Sequence, residues 1–196
     1  GGKDTYPWIH VPVGYLYTMG NPKTDWMMTT GPEPGLNGRS LAYPRGKVVG
    51  GCTSINGMIY MRGQSADYDH WRQLGNTGWG WDDVLPYFRR SEDHYGGASD
   101  LHGSGGEWKV QKQRLKWDIL EAVQEAAIQF GIPFSPDFND GLNEGVGFFD
   151  VNQKGGVRWS AAKAFLRPAQ GRSNLRVVTG ALAESLILDG KRAVGV

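Results

Sequence analysis

The stretch GKVVGGCTSINGMIYMRG, residues 46–63, decides how the rest of this chain is read. A half-buried strand would alternate apolar and polar residues, and a helix would avoid the pair Gly50-Gly51, so neither regular structure accounts for the order. In one reading Gly50 and Gly51 let main chain lie against a flat ligand, with Thr53, Ser54 and Asn56 hydrogen bonding to it. In the other they form a tight turn leading into a buried helix. A phosphate loop does not fit, because Lys47 precedes the glycines, whereas the Walker order places Gly-Lys-Ser/Thr at the end of the loop.

Working outward, the composition narrows the classes. Lys plus Arg total 21 against 20 Asp plus Glu, which leaves no field to attract nucleic acid or an anionic membrane. Cys52 is the single cysteine, so a disulfide framework and a cysteine-built metal site are excluded, and a reducing compartment suits the chain. No apolar run reaches the roughly 18 residues that cross a bilayer, and the first residues lack the pattern of a signal peptide. A cytoplasmic or membrane-peripheral placement is expected. His10, His70, His94 and His102 show no metal-ligand spacing, and His94, beside Glu92 and Asp93, reads as a solvated helix end. No metal site is expected.

The flanking segments read as follows. Residues 1–45, rich in proline, glycine and aromatics, look like an extended covering segment. A helix beginning near Ser65 or Asp67, a turn at GNTGWG and a second helix capped by Asp82 follow, with Val84, Leu85, Tyr87 and Phe88 as its apolar contacts and Pro86 tolerated early in it. Trp79 and Trp81 either stack on sugar or pack on the neighbouring helices. After a glycine-rich break, Leu115, Ile119, Val123, Ala126, Ala127 and Phe130 repeat at helical spacing and stop at Gly131. Ser160 is the expected cap of a short helix ending at Pro168. The tail, NLRVVTGALAESLILDGKRAVGV, reads as two strands, an Asp189-Gly190 turn and a third strand.

Residues 46–71 also resemble the first signature of the glucose-methanol-choline (GMC) oxidoreductases. Gly46, Val49, Gly50, Gly51, Thr53, Ile55, Asn56, Tyr60, Gly63 and Asp69 fall in that pattern, and GNTGWGWDDVLPYFRRSED and RWSAAKAFLRPA resemble two later stretches of the family in the same order. The similarity is closest to the choline-dehydrogenase-like branch. The resemblance implies a mixed α/β fold: part of a Rossmann-like FAD-binding domain, residues 1–107 and 158–196, and part of an antiparallel-sheet substrate domain, residues 108–157. It also implies an internal piece of a longer enzyme, with the dinucleotide loop before it and the catalytic base beyond it.

For the site, the resemblance implies that Val48, Gly50, Gly51, Asn56, Gly57, Met58 and Ile59 contact FAD, with the backbone of Val177 at the adenine. Ile55 stands where some members carry a histidine bonded to the flavin, so FAD is expected to be non-covalent. The implied reaction is oxidation of a small alcohol by hydride transfer to flavin N5, with the electron acceptor open. Two alternatives are a hydroxynitrile lyase of the same fold and a non-enzymatic, aromatic-rich carbohydrate-binding module.

Overall fold

A computed structural model describes all residues 1–196. Its interior is unusual in composition: the buried set includes nine apolar side chains, among them Ile9, Ile55, Val110 and Val151, and fourteen polar or charged ones. Hydrogen bonds and ion pairs therefore do much of the placing of the chain, since a polar group buried without a partner is costly.

Residues 1–45 run over the surface in short turns, with one helical turn, α1 (Tyr15–Thr18), and a two-residue antiparallel pairing of β1 (Met28–Thr29) with β2 (Ala42–Tyr43). Asp25 ties this segment down. Its buried carboxylate accepts the N–H groups of Gly20 (2.8 Å), Met27 (3.0 Å) and Arg45 (2.9 Å). Burial pushes its pKa up, but those donors outweigh it and hold the group below the usual range.

Helices α2 (Ser65–Gln73) and α3 (Trp81–Ser91) stand where the sequence places them. Their caps differ from expectation. Gly80, not Asp82, is the N-cap of α3, and Asp83 accepts the Gly80 N–H at 3.0 Å, because a side chain reaching back to the cap must sit one turn into the helix. Asp67 does the same for Gln64 at 2.7 Å in α2. Tyr68 of α2 meets Trp71, Trp81 and Phe88 with ring centroids 5.5–5.8 Å apart, and Trp79 packs on Trp71 at 5.9 Å. The tryptophan pair thus serves helix packing rather than a sugar platform.

Beyond α3 lies a three-stranded sheet in the order β3 (Glu92–His94), β4 (Trp108–Lys112), β5 (Asp150–Val151). The first pairing is parallel and the second antiparallel, so hydrogen bonds run across the expected boundary at residues 107 and 108. Helix α4 (Asp118–Gln129) begins after Leu115, which the spacing had placed inside it, and Trp117 is its N-cap. It ends as expected at Gly131, whose φ of +100° suits glycine. A short pairing of β6 (Gln153–Lys154) with β7 (Val157–Arg158) leads into the last helix.

That helix holds two corrections. Ser160 Oγ caps nothing; instead Thr53 Oγ1, far back in the chain, accepts the Ala161 N–H at 2.9 Å. A π-helical turn, Ala162–Leu166, runs into α5 (Arg167–Ala169), so the helix continues one residue past Pro168. The wider turn reorganises the hydrogen-bond ladder just where proline has no N–H to offer. In the tail only β8 (Ile187–Asp189) and β9 (Arg192–Gly195) form, as a hairpin around Gly190. The stretch containing Val177 and Val178 is irregular, because it finds no neighbouring strand and is held by one backbone bond, Gly180 N–H to Gly1 C=O at 2.8 Å.

Candidate functional site

The glycine pair folds into a tight loop. Gly50 has φ of +91° and Gly51 +56°, and residues Gly51–Ser54 form one 3-10 turn. Gly46 closes the base: a Cβ there would lie 2.2 Å from the Gly51 carbonyl oxygen. Thr53 Oγ1 donates to the Gly50 carbonyl, and Ser54 Oγ donates to that of Val49 at 2.9 Å. These hydroxyls turn back on their own loop, which corrects the reading that Thr53 and Ser54 reach a ligand.

Asn56 behaves differently. Its Oδ1 accepts the Met58 N–H at 3.1 Å and the Arg158 Nη1 at 3.0 Å, while its amide nitrogen has no partner and lies at the surface. Met58 takes a left-handed φ of +65°, and its carbonyl accepts the Asn152 N–H at 2.9 Å. Tyr60 N–H donates to Asp150 at 2.9 Å, which anchors the segment to β5. The N–H groups of Gly57 and Ile59 find no acceptor in the chain, and nothing lies within 4 Å of where a Gly57 Cβ would be.

Gly57, Met58 and Ile59 form one wall of a cleft of about 930 Å³, faced by Leu115, Leu120 and Val123 and by Phe148 and Phe149. The lining is mostly apolar and holds no histidine or carboxylate. An apolar cleft whose rim offers unpaired N–H donors suits a flat heteroaromatic ring with acceptor atoms on one edge. Of the expected residues, Gly57, Met58 and Ile59 line this cleft, whereas Gly50, Gly51 and Asn56 lie earlier in the same loop and are not part of its lining. Val48 adjoins them with its side chain buried, in a one-residue parallel bridge with Gly2. Val177 does not join them; it is linked only through Gly180 and Gly1. Ile55 is buried, and Cys52 is exposed with its Sγ 3.5 Å from the Gly46 N–H.

A second constellation escaped the sequence reading. His94 and His102 stack with ring centroids 4.0 Å apart, so His94 is not a solvated helix end. Glu92 is fully buried and pairs with Arg62 at 2.8 Å and with His102 Nδ1 at 3.1 Å, and it accepts the Gly103 N–H at 2.6 Å. His102 Nε2 meets Asp137 at 2.8 Å, and His94 Nε2 meets Asp150 at 3.2 Å. His94, His102 and Asp137 lie close enough to ligate a metal, but their ring nitrogens are already taken by carboxylates and by the Gly96 N–H. The cluster is therefore read as an ion-pair network. It supports the cleft wall, because Asn139, next to Asp137, accepts the Arg62 N–H at 2.8 Å and donates to the Tyr60 carbonyl at 3.1 Å.

The hydrogen bonds to Asp137 and Glu92 raise His102 from 6.5 to about 9. A pKa raised by folding contributes stability that is complete below the unfolded value and is lost as pH rises through the folded one. Unfolding stability should therefore fall by about 3 kcal/mol between about pH 6.5 and 9. Denaturant titrations across that range check this. A slope that persists in His102→Gln would assign it to another group.

A sequence model of the GMC oxidoreductases matches residues 14–196. The chain is 43% identical over 196 residues to an oxygen-dependent choline dehydrogenase of Brucella anthropi, covering all of this chain and 36% of that protein. Its fold matches pyridoxine 4-oxidase from Mesorbium loti with a TM-score of 0.91 at 33% identity, over 98% of this chain and 38% of that one. It also matches an FAD-dependent oxidoreductase from Chaetomium thermophilum with a TM-score of 0.86 at 28% identity, over 98% and 35% of the two chains. The chain belongs to the GMC oxidoreductase family. It spans little more than a third of the length of the relatives it matches, 36% for the curated ones.

Proposed function

We propose that this chain supplies the flavin-contacting loop of an FAD-dependent oxidoreductase that converts the CH–OH group of a small alcohol to an aldehyde or ketone. The observation that carries this reading is the pair of free donors, Gly57 N–H and Ile59 N–H, on residues that line the apolar cleft, with the exposed Asn56 amide as a third donor just before them in the loop. FAD supplies the hydride acceptor at N5 when bound. Gly50, Gly51 and Gly57 let main chain approach it, the three donors stabilise charge on its ring, and Val48, Met58 and Ile59 supply apolar contact. Val177 contributes backbone at the adenine end. The cleft receives the alcohol, with the base coming from outside its present lining. Residues 1–107 and 158–196 serve the FAD domain and 108–157 the substrate domain, joined through the β3-β4-β5 sheet.

No helix of the chain is long and apolar enough to cross a membrane. A cytoplasmic or membrane-peripheral setting fits the lone cysteine. Choline is the first alcohol to try, because oxygen-dependent choline dehydrogenases are among the relatives. Ile55 offers no nucleophile, and the Cys52 thiol is directed to the Gly46 N–H at the base of the loop, so the flavin is held non-covalently. Acid precipitation of the yellow full-length protein should leave a colourless pellet. Colour retained in the pellet would overturn non-covalent binding, and protein purified without flavin absorbance would overturn the function.

Asn56→Ala should weaken flavin binding by about 1–3 kcal/mol, since it removes an outward donor and takes one of the two acceptors of Arg158 Nη1, leaving only the Thr53 carbonyl. Ser54→Ala should leave flavin affinity unchanged and lower unfolding stability by about 1 kcal/mol, through the lost bond to Val49. Equal flavin affinities for the two variants, by fluorescence titration, would contradict this assignment.

A further inference from the structure

Arg158 is 1% exposed, and no carboxylate faces it. Its Nε donates to the Ile9 carbonyl at 2.8 Å, and its Nη1 to the Thr53 carbonyl at 3.2 Å and to Asn56 Oδ1 at 3.0 Å, all neutral acceptors. Nη2 is buried without any partner. The charged groups nearby do not compensate it: Lys163 is another cation, with its Nζ on the Arg158 carbonyl at 2.9 Å, and Asp4 is paired with Arg167 at 2.7 Å. Burial alone lowers the guanidinium to about 10, which still leaves it charged at neutral pH.

A buried cation with no counter-ion is strongly destabilising, so its place directly under the Asn56 loop calls for a compensating partner. The loop shows where that partner would be. With Oδ1 of Asn56 taken by Arg158 Nη1 and by the Met58 N–H, the amide keeps its NH₂ free on the exposed side of the loop that also carries the unpaired N–H groups of Gly57 and Ile59.

We infer that Arg158 is a positioning residue for the flavin: it locks the Asn56 amide with its donor outward, and its uncompensated charge beneath the loop favours the electron-rich, reduced state of the ring. This rests on the flavin reading given above. The reduced ring gains negative charge when the hydride arrives, and a fixed cation in a poorly solvated place acts on that charge without reorganising.

The test is the flavin midpoint potential of the full-length holoenzyme. Arg158→Met should move the oxidised–reduced equilibrium at least tenfold toward oxidised flavin, about 30 mV for a two-electron couple. Arg158→Lys, which keeps the charge, should recover most of that shift. Shifts below threefold in both variants, or equal shifts in both, would overturn the inference. Where Arg158→Met does not fold, Asn56→Asp decides, because it gives Arg158 a counter-ion at an exposed position: the flavin-free variant should melt at a higher temperature than the wild type, and an unchanged or lower melting temperature would count against an uncompensated cation. Wild-type protein without flavin refutes the flavin reading and this role together, whereas normal flavin content with an unmoved potential refutes the role of Arg158 alone.

Discussion

Glu92→Gln is expected to destabilise the protein by about 3–5 kcal/mol, the usual result of removing one member of a buried ion pair. Glutamine keeps the size of the side chain but leaves Arg62, 7% exposed, without its carboxylate, and weakens the contacts to His102 Nδ1 and the Gly103 N–H. The loss should reach the cleft as well, since Arg62 and Asn139 hold Tyr60, and Tyr60 ends the loop. Asp93→Asn is the matched control: Asp93 pairs with Lys109 at 2.7 Å but is a third exposed, so its loss should cost less than about 1 kcal/mol. Urea unfolding of both variants checks this, and a Glu92→Gln loss under 1 kcal/mol would show that the network is not what holds the wall.

The second large effect separates loop from ligand. Gly46→Ala forces a Cβ to within 2.2 Å of the Gly51 oxygen and 2.8 Å of the Cys52 nitrogen, both backbone, so the loop must open. Flavin affinity should fall at least a hundredfold, and stability with it. Gly57→Val should behave otherwise. A side chain there meets nothing within 4 Å and needs no left-handed backbone, so the fold should tolerate it while a ring lying on the loop should not. Stability near wild type with flavin affinity lowered tenfold or more is the expected result. A Gly57→Val protein that binds flavin normally would move the ring away from this loop.

The loop at residues 46–59 and the helices around it were legible because their signals are local: a glycine pair, apolar residues at helical spacing, Gly131 at a helix end; the capping residues were not, since Asp83 rather than Asp82 reaches back to the cap of α3. The network around Glu92 was not, because its members, from Arg62 to Asp150, come from separate segments and meet only in three dimensions. His94 looked exposed beside two acidic neighbours, yet one of those, Glu92, is the most deeply buried member of the network. Arg158 gave no warning in RWSAAKAF, where its neighbour Ser160 drew the attention as a cap. The cap came from Thr53 instead, a contact across 108 positions that no spacing rule reaches. The strand expected around Val177 failed for the related reason that strands are made by their partners.

The most direct test of the central claim is an anaerobic titration of the purified full-length protein with a panel of small alcohols, followed at the flavin absorbance bands. The account predicts a yellow protein whose flavin bleaches with at least one alcohol as the matching aldehyde or ketone appears in equal amount. Flavin-loaded protein that stays oxidised with every alcohol, or that releases a carbonyl product without bleaching, would contradict it.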